Sequence, residues 1–138
     1  MMYSNVNWIS IVVAAIINMA VGFVWYSPML FGKQWMKYVG MSEKDVQAAK
    51  KGMSSAYGIM AVGALIMAFV LSKFVSMAGT MTATSGAMIG FWAWLGFVAT
   101  SVVGGVLFEK KPWGWYYITA GFSLVVLVIN GALLAVWR

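Results

Sequence analysis

The chain has 138 residues, of which 63% are hydrophobic and only 9% charged, with a formal net charge of +6 and a mean hydropathy of +0.89. A soluble domain carries about a quarter charged residues, so a chain this poor in charge belongs in lipid. With no Cys, no His and only three acids, Glu43, Asp45 and Glu109, thiol chemistry is excluded, the commonest metal ligand is missing and little remains for acid–base work.

The expectation is therefore a protein without catalytic residues, cofactor or metal, and not an enzyme. The positive charge does not point to nucleic acid, because the basic residues flank long apolar runs and do not gather on one soluble face. Anionic lipid headgroups are the expected partner.

A membrane-crossing helix needs about 20 mostly apolar residues. The first run, WISIVVAAIINMAVGFVWY from Trp8 to Tyr26, is interrupted only by Ser10 and Asn18. Residues 1–7 carry no basic side chain and no small-residue cleavage site precedes the aromatic exit, so the run reads as a retained helix and not a signal peptide. Asn18, near its midpoint, is a polar group that is costly in lipid. It either lines a pore or ligand site, or bonds to a neighbouring helix. Ala14, Asn18 and Gly22 form one i, i+4 stripe, the pattern of a packing seam.

Pro28 biases Ser27 away from helical geometry and marks the exit, and Trp25 and Tyr26 stand where an interfacial aromatic belt belongs. At about 100° per residue, Phe31, Trp35, Met36, Tyr38 and Val39 share one arc and Lys33, Gln34 and Lys37 oppose it, with Leu30 the exception. That pattern predicts a short amphipathic helix lying in the headgroup plane on the cytoplasmic side. Ser42-Glu-Lys-Asp45 fits a capping pattern, which predicts a helix from Glu43 leading into the second span.

The second span is expected at 53–75. Ser76 to Gly86, SMAGTMTATSG, reads as a hairpin, leaving a third span at 87–108 and a fourth at 113–137. Gly86 with Gly90, Gly96 with Thr100 and Gly104, and Ser101 with Gly105 are i, i+4 pairs that suggest close packing. Glu109 follows the third span directly; it is either paired with Lys110 and Lys111 or a proton- or cation-binding carboxylate facing inward. Asn130 in the fourth span offers the same choice as Asn18. The runs are continuous, which excludes the alternating segments of a β-barrel. The fold class expected is an all-α membrane protein, one domain over residues 1–138, a four-transmembrane-helix bundle with a short interfacial helix between spans one and two.

Lys33, Lys37, Lys44, Lys50 and Lys51 lie in the first connection and Lys110 and Lys111 in the third; Lys73 and Arg138 are the only basic residues on the other side. Seven against two places both connections in the cytoplasm and both termini outside, with a bacterial inner membrane as the expected location.

WYSPMLFGKQWM (Trp25 to Met36), followed by Gly-Met-Ser-Glu, resembles the signature of a small membrane-protein family catalogued as domain of unknown function 1761. The resemblance continues in WLGFVAT (Trp94 to Thr100), LFEKKPWGWYYITAGF (Leu107 to Phe122) and NGALLAVW (Asn130 to Trp137). It implies a compact four-helix membrane protein and supplies no reaction. The candidate ligand- or lipid-facing residues are Asn18, Trp25, Tyr26, Lys33, Trp35, Trp94, Glu109 and Asn130. Four helices enclose little volume, so a pore or sizeable site is expected between subunits of a homo-oligomer, a dimer or trimer. The function expected is binding or moving a small or lipid-like ligand; the alternative is a structural or accessory membrane protein.

Overall fold

The computed structural model describes residues 7–27, 29–40, 44–45, 53–79 and 81–137. Its elements are α1 (Trp8–Trp25), α2 (Gly32–Val39), α3 (Met53–Met77), α4 (Ala83–Ala93), a π-helical turn (Trp94–Ala99), α5 (Thr100–Leu107) and α6 (Trp113–Val136). α4, the π turn and α5 run on as one helical span, so among the described residues four helices are long and apolar enough to cross a membrane.

The ends of these helices follow local chemistry. Asn7 caps α1 by accepting the Ser10 N–H at 3.2 Å, while the Ser10 hydroxyl donates to the Asn7 carbonyl at 2.8 Å. Thr82 caps α4, accepting the Ser85 N–H at 3.1 Å. That cap starts the third span at Ala83, earlier than the expected 87, because the small polar residues before Gly86 form a capping turn and only part of them a loop. α3 runs on to Met77. Pro28 and most of the stretch expected to be helical from Glu43 lie outside the described residues.

α6 is the central helix. Of its most apolar window 44% is buried, against 22% for α1, 22% for α3 and 11% for the third span. Ile11 and Ala14 of α1, Ala68 and Leu71 of α3, and Leu127 and Leu134 of α6 form the buried cluster. Among lipid tails apolar side chains gain little by leaving the solvent, so close packing has to hold the helices together. The α4–α6 crossing shows how. A Cβ on Gly86 would overlap the Gly131 carbonyl oxygen, one on Gly90 would overlap that of Leu127, and one on Gly131 would overlap that of Gly86. The two backbones touch, and only Gly permits it.

The Gly96–Thr100–Gly104 stripe behaves differently from the seam expected there. A Cβ on Gly96 would meet nothing within 4 Å, and at Gly104 only the ring of Phe108 at 4.0 Å. Gly96 is exposed within the π turn, on a face turned away from α6. The Thr100 and Ser101 hydroxyls donate to the carbonyls of Gly96 and Phe97, each at 2.8 Å, so they are satisfied within their own helix. Gly105 alone of this group faces inward, with Trp115 Cη2 2.6 Å from the position a Cβ would take.

Candidate functional site

The end of the molecule that carries α2 is held by backbone hydrogen bonds and aromatic contacts. After Trp25 the chain closes on itself: the N–H groups of Leu30 and Gly32 donate to the Ser27 carbonyl at 3.1 and 3.0 Å, and that of Phe31 to the Trp25 carbonyl at 3.1 Å. Gly32 is buried in this turn, where a Cβ would collide with the Tyr26 carbonyl and stand 2.8 Å from that of Ser27. The Trp25 indole N–H donates to the Ile118 carbonyl of α6 at 2.9 Å, and its ring lies 3.2 Å from where a Gly121 Cβ would be. Tyr26 sits between Trp35 and Phe122, each ring centroid 5.6 Å away. The Tyr38 ring fills the space a Gly114 side chain would need. Together these contacts fasten α2 to the first turns of α6.

This docking decides which face of α2 is outward. Lys33, Gln34 and Lys37 are exposed, whereas Trp35, Met36 and Val39 are half-buried. Beside it, Lys110 takes a left-handed backbone (φ 59°) and the Lys111 N–H donates to the Gly105 carbonyl at 3.1 Å. The Lys111 ammonium lies 5.0 Å from the Trp115 ring centroid, a cation–π distance. Glu109 is exposed. Among the described residues of the first and third connections, Lys33, Lys37, Lys44, Lys110 and Lys111 outnumber Asp45 and Glu109, leaving this end positive.

Two further sets lie inside. Trp94 donates its indole N–H to the Ala120 carbonyl at 2.8 Å and Tyr116 its hydroxyl to the Ala99 carbonyl at 2.9 Å. One bond holds each end of the π turn to α6. Deeper, the Asn130 amide donates to the Ala14 carbonyl at 3.0 Å, and the Asn18 amide reaches only the Met67 thioether, at 3.7 Å. Asn130 is 2% exposed. Its Oδ1 accepts no hydrogen bond among the described residues.

The eight candidate residues thus fall into three places. Trp25, Tyr26 and Trp35 meet in the α1–α2 clasp, Lys33 and Glu109 face outward at the same end, and Asn18, Trp94 and Asn130 are turned towards the interior. Gly114, which takes the Tyr38 ring, was not singled out; its only sequence signal is a Gly set between two Trp at a helix start. Elsewhere an apolar groove of about 360 Å³ runs between α3 and the third span, lined by Phe74, Ile89, Trp92 and Phe97 among others.

The family model described as "Protein of unknown function (DUF1761)" matches residues 9–135. No curated protein and no solved structure matches the chain.

Proposed function

The chain belongs to this family of unknown function, matched over nearly its whole length, and on that premise we propose a role from the site itself. The protein is an integral membrane protein that binds or moves a small or lipid-like ligand within a homo-oligomer, a dimer or trimer, and its α2 end holds anionic lipid headgroups. α2 lies in the headgroup plane of the cytoplasmic leaflet of a bacterial inner membrane, with both termini outside.

The observation that supports this reading is the two-faced docking of α2. Trp35 packs on Tyr26 and the Tyr38 ring sits against Gly114 of α6, which leaves Lys33 and Lys37 on the outward face. A lysine near an anionic leaflet is worth about 1 kcal/mol, so losing both is expected to weaken headgroup binding about 30-fold at low salt, and less as salt screens the charges. The groove beside Phe74 and Trp92 has the apolar character an acyl chain requires. The open space around Gly58, Gly63 and Gly96 favours contact with a second copy.

The structural or accessory reading also has an observation in its favour. Trp25, Trp94 and Tyr116 direct their polar atoms to backbone carbonyls of this same chain and not to an open site. The test is to purify the protein in native lipid and identify by mass spectrometry what is retained. One defined anionic lipid or metabolite, lost on Lys33→Ala or Trp35→Ala, supports binding; retention of nothing defined supports the structural reading. Flux into liposomes that Asn18→Leu or Glu109→Gln abolishes would support movement of the ligand. A reporter fusion that finds the N-terminus in the cytoplasm would contradict the orientation.

A further inference from the structure

The Asn18–Asn130 region has a chemistry that the headgroup reading does not use. Asn130 Oδ1 is an acceptor without a donor in a residue 2% exposed. Leaving such a group unpaired is unfavourable, and in a bilayer no solvent is at hand to relieve it. Asn18, 9% exposed, has the opposite deficit. One amide hydrogen goes to a thioether at 3.7 Å, a weak acceptor, and the other has no partner among the described residues.

The two deficits meet on one face of α1. Asn130 of α6 is anchored on the Ala14 carbonyl, and Asn18 stands one helical turn beyond Ala14 on α1, in the i, i+4 position where side chains are neighbours. A cation does not suit the place. The buried cluster of α1 and α6 around it is apolar, Ile11, Ala14, Leu127 and Leu134 among its members, no carboxylate is among the buried residues described, and a buried charge without a counter-charge is very costly. The missing partner must be neutral, small, and both donor and acceptor.

We propose that one water molecule is bound between α1 and α6, donating an O–H to Asn130 Oδ1 and accepting the unused amide hydrogen of Asn18. Buried waters commonly bridge polar groups that are otherwise unsatisfied. Here the water makes the two Asn a connected pair, coupling α1, α3 through Met67, and α6.

The chain contains four Asn, at positions 5, 7, 18 and 130, so labelling Asn with nitrogen-15 in the full-length protein in lipid nanodiscs gives four side-chain amide pairs to assign. The expected result is cross-relaxation between a long-lived water and the Asn18 and Asn130 amides, with the Asn18 signal lost in Asn130→Leu. The absence of a water signal at both amides in the wild type would overturn the site, as would an Asn18 signal unchanged in Asn130→Leu. If Asn130→Leu does not fold, the wild-type spectrum and Asn18→Leu, which must abolish the signal at Asn130, decide the matter. In an unfolding double-mutant cycle the two positions are expected to couple by about threefold in the equilibrium constant; strict additivity would count against the bridge. A negative result here leaves the headgroup reading standing, because that is measured at Lys33 and Lys37.

Discussion

Gly90→Ala and Gly96→Ala are expected to move stability in opposite directions, although both change a glycine in the same span. At Gly90 a Cβ would overlap the Leu127 carbonyl oxygen and stand 2.6 Å from its carbon and 3.1 Å from the Val128 nitrogen. Ordinary van der Waals contact begins at 3.4 Å, so α4 and α6 must part by close to 0.8 Å at the carbon alone. Backbone cannot swing aside as a side chain can. Overpacking of this kind costs about 1–3 kcal/mol. At Gly96 the new methyl meets nothing within 4 Å, and relieving the glycine entropy penalty in a helix gains about 0.5–1 kcal/mol. That entropy gain is common to both substitutions, so the variants should differ by the overpacking cost, about 1–3 kcal/mol. Reversible unfolding in mixed micelles with increasing SDS, followed by circular dichroism, measures the difference. Equal stabilities, or a more stable Gly90→Ala, would refute the glycine crossing as the α4–α6 contact.

Trp25→Phe keeps an aromatic side chain but removes the indole N–H that bonds the Ile118 carbonyl and part of the ring that packs by Gly121; it should cost at least about 0.5–1.5 kcal/mol in the same assay, and a loss within error of zero would count against the clasp. Tyr116→Phe removes the hydroxyl that binds Ala99. Hydrogen exchange should then quicken around the π turn and leave α1 unchanged, whereas uniform exchange rates would show that the bond does not brace the turn. Gly114→Leu displaces the Tyr38 ring and should free α2 without unfolding the spans. Trypsin is expected to cut after Lys33 and Lys37 several times faster in this variant, and an unchanged rate would mean that Gly114 does not seat α2.

The helix count and the amphipathic character of residues 31–39 were legible because both are sums over many side chains. Apolar length alone marks a helix long enough to cross a membrane, and lysine spacing alone marks the outward face of α2. What the sequence could not distinguish was one glycine stripe from another. Gly86–Gly90 and Gly96–Gly104 look equally like packing seams, and only the rotation of the span against α6 turns one in and the other out. The hairpin expected over 76–86 is shorter in the structure for a related reason: Thr82 and Ser85 are loop residues by composition but form a cap once the chain turns there. Trp25 and Trp94 looked like membrane-facing aromatics because an indole N–H carries no sign of its acceptor. That acceptor is a backbone carbonyl of α6, more than 25 residues away in each case.

The membrane account rests most directly on where α2 lies. The chain has no Cys, so single spin labels can be placed at Lys37→Cys on the outward face of α2 and at Phe97→Cys, an exposed position of the third span. Paramagnetic accessibility to oxygen and to a water-soluble nickel chelate in anionic liposomes then gives the depth of each. The expected result is a label at position 37 at headgroup depth and one at 97 within the hydrocarbon. A label at 37 as open to the nickel chelate as one in bulk water, or as shielded from it as the label at 97, would contradict the account.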